Sequence, residues 1–179
     1  MMTKSRFAEL GEINQIAFIP EDFDACLRFW TEVMGAGPFF ILSGTIATSS
    51  SYLGAPTNPV LDIALGHWGD IQIEIIRQTN DDPSPYKAWR DAGGVGVHHT
   101  CIAVPDIAAA KMLAAEKGME VLLTGAANGA EWIYVDTGGG PGTIVEIIQH
   151  SAASQGLMDM VRAPSRGWDG SDPVRRMTL

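Results

Sequence analysis

Cysteine is scarce, with only two in 179 residues. Cys26 and Cys101 form neither a zinc-type nor a dithiol spacing, and each falls in an apolar-periodic segment. Both therefore read as small buried hydrophobes in a reducing cytoplasm. Basic residues are also short, 12 against 21 acidic ones, for a net charge of −9. That balance argues against a nucleic-acid partner, which needs a basic face to displace counterions from phosphates. No apolar run approaches the ~20 residues needed to span a bilayer, so no membrane partner is expected. The opening Met1-Met-Thr-Lys-Ser-Arg-Phe-Ala-Glu-Leu10 carries charge with no apolar core behind it, unlike a secretory signal. The 46% hydrophobic and 18% charged residues that remain are those of an ordinary globular protein of one or two domains.

What the chain does have is a repeat. Gln15-Ile-Ala-Phe-Ile-Pro-Glu-Asp22 opens one half and His99-Thr-Cys-Ile-Ala-Val-Pro-Asp106 opens the other. Each sets a metal-capable side chain before an apolar run, with an aspartate seven residues on and a helix-like stretch behind it. The halves close on matching strands, Ile73-Glu74-Ile75-Ile76 and Val145-Glu146-Ile147-Ile148. Such duplication changes what each residue is for. Gln15, Glu74, His99 and Glu146 become two equivalent pairs that a pseudo-twofold can bring to one point.

Periodicity predicts β-α-β-β-β in each half. The first strand spans Ile13–Ile19, and Asp22 caps a helix over about Phe23–Met34 whose stripe is Phe23, Leu27, Trp30 and Met34. Strands Phe39–Leu42, Leu61–Leu65 and Ile71–Arg77 follow, with a long loop over 43–59 that is expected to line or cover a pocket. The second half repeats this: His99–Val104, an Asp106-capped helix Ile107–Lys117, then strands near Glu120–Leu123, Glu131–Val135 and Thr143–Ile148. The glycine clusters at 93–96 and 138–142 read as tight turns, Pro141 among them. The expected organisation is an N-terminal extension 1–12, a module 13–80, a linker 81–97 with a short helix Tyr86–Asp91, a module 98–150 and an extension 151–179. That last piece holds an amphipathic stretch, Leu157–Val161, and is also expected over the pocket.

Strand alternation decides which way the carboxylates face. Ile73 and Ile75 flank Glu74, and Val145 and Ile147 flank Glu146; those apolar residues pack beneath the helices and leave both carboxylates on the concave face. Two ionised carboxylates there need neutralising. A divalent cation does this, with Gln15 offering a carbonyl oxygen and His99 an imidazole nitrogen. Three oxygens and one nitrogen suit zinc, nickel, cobalt, manganese or magnesium. His98, by alternation, points toward the helical side in a structural role. His67 reads as a turn residue, His150 as exposed, and Trp30 and Trp89 as core.

The repeated unit, with ligands on its first and last strands, resembles the vicinal oxygen chelate superfamily over about 13–150. That group includes glyoxalase I, methylmalonyl-CoA epimerase, extradiol dioxygenases and drug-resistance proteins. Gln15, Glu74, His99 and Glu146 are similar to the Gln/Glu/His/Glu ligand set of zinc-type glyoxalase I. Gln72-Ile-Glu74, Lys87-Ala-Trp89 and Gly96-Val-His98-His99 resemble methylmalonyl-CoA epimerase, whose pattern would instead place His at 15 and Gln at 74. In that family the second histidine of the pair is the ligand, which implies His99. The resemblance implies an α+β fold of two tandem modules forming a U-shaped mixed sheet around a metal-binding cleft, and a homodimer.

It further implies a lyase or isomerase that moves a proton alpha to a carbonyl through an enediolate-like intermediate, with Glu146 as first choice of base and Glu74 as second. Expected substrates are thiohemiacetals, acyl thioesters or other small carbonyl compounds. Arg28, Arg77, Lys87 and Arg90 are candidates for a basic patch to hold an anionic tail. Two other classes compete: an extradiol-type dioxygenase, which wants two histidines and one carboxylate, and a non-catalytic binding protein of the resistance type.

Overall fold

The structure, a computed structural model, describes residues 6–140 and 142–177. Pro141 and the outermost parts of the two extensions lie outside the described residues. Strand β1 (Ile13–Ile19) leads into α1 (Phe23–Arg28), which continues as a π-turn over Phe29–Val33. Then come β2 (Phe39–Thr45), β3 (Ser49–Tyr52), β4 (Ala55–Pro56), β5 (Leu61–Trp68) and β6 (Ile71–Gln78). Helix α2 (Pro85–Asp91) bridges to β7 (Gly96–Ala103), α3 (Ile107–Glu116), β8 (Val121–Ala127), β9 (Ala130–Val135) and β10 (Ile144–Gln149). The C-terminal extension forms α4 (Ala152–Arg162) and β11 (Val174–Met177).

All the strands join one open, curled sheet in the order β11-β2-β5-β6-β1-β7-β10-β9-β8-β3-β4. Each half is a βαβββ unit, and the two meet where β1 runs antiparallel to β7. The register there carries the pseudo-twofold: Gln15 stands opposite Cys101 and Ala17 opposite His99.

The two helices start alike because both aspartates accept from exposed first-turn N–H groups, Asp22 from Ala25 and Asp106 from Ala108 and Ala109. Their apolar stripes cover the convex face. Phe23, Leu27 and Trp30 pack on Ile73 and Ile75, and Ile107, Ala110 and Ala114 pack on Ile133 and Ile147. Burying such a side chain fully contributes about 1.5–3 kcal/mol, and the same packing fixes which face Glu74 and Glu146 take. On the concave side, Ala17, Ile19, Ile76, Tyr86, Leu123 and Tyr134 close one end of the cup. Phe40, Leu42, Leu65 and Val161 of α4 form a second cluster at the other end.

The stretch 43–59 departs from its expectation as a loop. Part of it extends β2, and the rest makes β3 and β4. Ser49-Ser50-Ser51-Tyr52 has no apolar alternation, and it becomes a strand by pairing with the free edge of β8 from Ala126 to Leu123. Strand β11 likewise pairs in parallel with β2, Val174 beside Phe39. Leu157–Val161 proves to be part of a longer helix whose first turn Ser151 caps.

Candidate metal centre

Four strands bring the site residues to the concave face. Glu74 on β6 lies beside Ala17, and Glu146 on β10 lies beside Cys101. These neighbours are pseudo-twofold equivalents with small side chains, which leaves room between the strands for longer groups to converge. His99 Nε2 sits 3.2 Å from Glu146 Oε2 and 3.5 Å from Glu74 Oε2. His99 is fully buried and both glutamates are nearly so. Among the described residues neither carboxylate pairs with lysine or arginine.

The electrostatics follow from that burial. Removal from water raises the Glu74 carboxyl, opposed by its hydrogen bond to His99. Burial alone would lower His99, but its hydrogen bonds to Glu146 and Glu74 and their charge lift it to about 9. The cluster therefore asks for positive charge, and either a proton or a cation can supply it.

Two observations speak to a metal. Ligand atoms sharing one ion at about 2.0–2.2 Å stand about 3–4.4 Å apart. The candidate atoms of Glu74, His99 and Glu146 all lie within 4.8 Å of one another, and the two His99–carboxylate separations fall inside that range. Second, Gln15 Nε2 donates to Gln72 Oε1 at 2.7 Å, and its own Oε1 is buried without a partner. A buried carbonyl oxygen left bare is unfavourable unless something binds it. Gln15 shares the cavity with both glutamates. This donor set fits a divalent ion.

The histidine pair adds orientation. His98 Nε2 lies 3.4 Å from the Pro85 carbonyl, and its Nδ1 lies 2.9 Å from His99 Nδ1. A carbonyl can only accept, so His98 Nε2 carries the proton. Burial first, then the charge of His99, pulls the His98 pKa down to about 3 and keeps the ring neutral. Its Nδ1 then accepts from His99 Nδ1–H, and His99 Nε2 is the nitrogen turned to the carboxylates.

The cavity over the cluster measures about 280 Å³. Ile63, Leu65 and Ile148 wall it, and Leu157, Met158 and Arg162 of α4 lie across it. The tail thus covers the pocket as expected, while residues 43–59 do not line it. Arg28, Arg77, Lys87 and Arg90 do not line it either. Arg77 pairs with Asp62 and Lys87 with Asp91, so no basic patch forms there.

A family model described as the glyoxalase/bleomycin resistance protein/dioxygenase superfamily matches residues 14–136. The chain belongs to that superfamily. Three solved structures share its fold at low identity. A hypothetical protein from Bacillus halodurans C-125 is 18% identical, with 79% of this chain and 95% of that one covered and a TM-score of 0.57. A methylmalonyl-CoA epimerase variant from Streptomyces coelicolor, in complex with 2-nitronate-propionyl-CoA, is 19% identical over 80% and 96%, with a TM-score of 0.57. The Mycobacterium tuberculosis methylmalonyl-CoA epimerase is 12% identical over 87% and 97%, with a TM-score of 0.58. No curated protein matches. Among the described residues no helix is long and apolar enough to cross a membrane.

Within this superfamily fold, several site residues escape a reading by spacing. His67 is not a turn residue: β5 extends through it, it is buried, and its Nδ1 lacks a partner at the cavity wall. His150 is half-buried under α4 and bonds Ser154, not exposed. Cys26 is only half-buried, and Cys101 is buried but faces the cavity. Tyr134 O–H lies 2.8 Å from Tyr86 O–H and 3.4 Å from His99 Nε2. A signal existed for Tyr134, which stands across from Glu146 in β9, and for Gln72, which lies two residues from Glu74 on the same strand face.

Proposed function

We propose that this protein is a metal-dependent lyase or isomerase that transfers a proton on the carbon alpha to a carbonyl of a small molecule. The observation carrying it is the buried pair of pseudo-twofold carboxylates around His99 Nε2, with no lysine or arginine paired to them among the described residues. Glu74, His99, Glu146 and Gln15 would hold one divalent ion, of the zinc, nickel, cobalt, manganese or magnesium class. Such an ion supplies Lewis acidity to a carbonyl oxygen and thereby acidifies the adjacent C–H.

The protein's own groups do the rest. Glu146 Oε is the base that takes a proton from one face of the carbon, and Glu74, facing it across His99 and protonated at the outset, gives its own proton to the other face. His98 holds the His99 ring, and Gln72 holds the Gln15 amide so that its oxygen faces inward. Leu157 and Met158 shield the reacting carbon from water. A thiohemiacetal or an acyl thioester meets these demands, and the epimerase neighbours support the isomerase branch. The dioxygenase alternative is weaker, because His99 is the one histidine in the cluster among the described residues. Exposed Phe29, Val33 and Trp68 support a homodimer.

The test is elemental analysis of the purified protein, followed by solvent-deuterium incorporation into a panel of carbonyl substrates. Glu146→Gln should lower turnover by about 10²–10⁴-fold while the circular dichroism spectrum is retained. Unchanged kcat removes Glu146 from the chemistry.

A further inference from the structure

The C-terminal extension contributes to the cavity from the same chain. Val161 is fully buried against Phe40, Leu42 and Leu65, which seats α4 across the concave face. Strand β11 ties the end of the extension to the edge of β2. At the rim, Arg162 of α4 bonds Asp70 of the β5–β6 turn. Inside, Gln72 Nε2 lies 3.4 Å from the sulfur of Met158, so the helix touches the same glutamine that orients Gln15.

Size and charge then restrict what fits. About 280 Å³ lies just below the range of pockets for drug-sized ligands. With each water taking about 30 Å³, that is room for roughly nine water-sized groups. Leu42, Ile63, Leu65, Ile148, Leu157 and Met158 give the lining an apolar part away from the glutamates. The charged lining is mostly acidic, with Glu74, Glu146, Asp70 and Asp159 against Arg162, and Arg162 already faces Asp70. Among the described residues an anionic tail would meet no free cation there.

We propose that α4 is a specificity wall, and that the site takes a compact chelating carbonyl compound with one apolar arm and no anionic tail. This rests on the metal reading above for the chelating head, while the arm preference rests on the cavity itself.

Three hydroxamates separate the two. Acetohydroxamate, hexanohydroxamate and the monohydroxamate of adipic acid share one two-oxygen head and differ only in the arm. Zinc stoichiometry of the full-length protein is measured first, then each hydroxamate is titrated into the zinc-loaded protein by calorimetry. Hexanohydroxamate should bind at least tenfold more tightly than acetohydroxamate, and at least tenfold more tightly than the adipic compound. Met158→Glu should cost hexanohydroxamate at least fivefold more than it costs acetohydroxamate. Leu157→Ala, a milder change should the first variant misfold, should cost hexanohydroxamate about threefold. Equal binding of all three compounds, or an arm preference untouched in a folded variant, overturns the wall. Should none of zinc, nickel, cobalt, manganese and magnesium bind, the metal reading falls, and hexanamide is compared with adipamic acid: preference for hexanamide supports the wall and equal binding overturns it.

Discussion

Superimposed through its pseudo-twofold, the β1–β6 half places Gln15 where the β7–β10 half has His99, Glu74 where it has Glu146, and Ala17 where it has Cys101. The carboxylates and the small residues beside them keep their character; the neutral donors do not. Nor do their supports. Gln15 is held by Gln72, whose counterpart by register is Ile144. His99 is held instead by its own neighbour His98, itself anchored on the Pro85 carbonyl of α2. The duplicated frame therefore fixes where four side chains meet. What each contributes is settled separately, by contacts outside the repeat. The extensions are equally one-sided: α4 packs on the first half's strands, while β3 and β4 leave that half to pair with the second.

Breaking the comparison at the donors has the largest expected effect. In the proposed reading His99→Gln makes both halves glutamine-type and removes the single nitrogen ligand. Zinc affinity, measured by competition with a chromophoric chelator, should fall by about 100-fold or more, since imidazole suits zinc better than an amide oxygen. Gln15→His makes both halves histidine-type and should raise zinc affinity by about tenfold. If both variants bind as the parent does, neither residue is a ligand.

The supports come next. Partners that orient a metal-bound histidine are typically worth about 10–100-fold in affinity. His98→Phe, which keeps the ring packing on Tyr86 and Trp89 but deletes both nitrogens, should lose an amount in that range. Gln72→Leu frees the Gln15 amide to rotate without deleting it, so a few-fold loss is expected. The reverse ranking would mean that the first half, not the second, carries the stronger ligand.

How much of this could be read beforehand follows from how far each feature reaches along the chain. The paired openings, the Asp22 and Asp106 caps and the alternation about Glu74 and Glu146 are local patterns, and the fold follows from them. Strand β3 is not local: Ser49–Tyr52 pairs with Ala126–Leu123, more than 70 positions away, and its serines carry no apolar period. His98 shows the limit of alternation. The rule turns its ring to the helix-covered face, but a bulge opposite Ala17 breaks the alternation and leaves it against Tyr86 and Trp89, with Tyr86 in the cluster that closes the concave side. It says nothing of the Nδ1 contact back to His99, which depends on ring rotation. His67 and His150 escape a local reading for one reason. Locally each stands near a strand end, and α4, arriving later in the chain, helps line the cavity they share.

His67 gives the smallest and most local test of that cover. Burial, then the charge of Arg162, pulls its pKa down to about 4, with Asp70 acting the other way. The ring is neutral in the folded protein, whereas in the unfolded chain it titrates near the ordinary 6.5. Between these values the unfolded chain binds the extra proton, so stability rises with pH across that window. The contribution is complete above about 6.5 and is lost as pH falls toward about 4. Urea midpoints taken through this range should slope less steeply in His67→Asn than in the parent. Arg162→Ala should leave most of the slope, because it removes the lesser cause and keeps the burial, and an exposed ion pair contributes only about 0–1 kcal/mol by itself. If Arg162→Ala flattens the curve as much as His67→Asn does, the helix acts on His67 through its charge and not through the water it excludes.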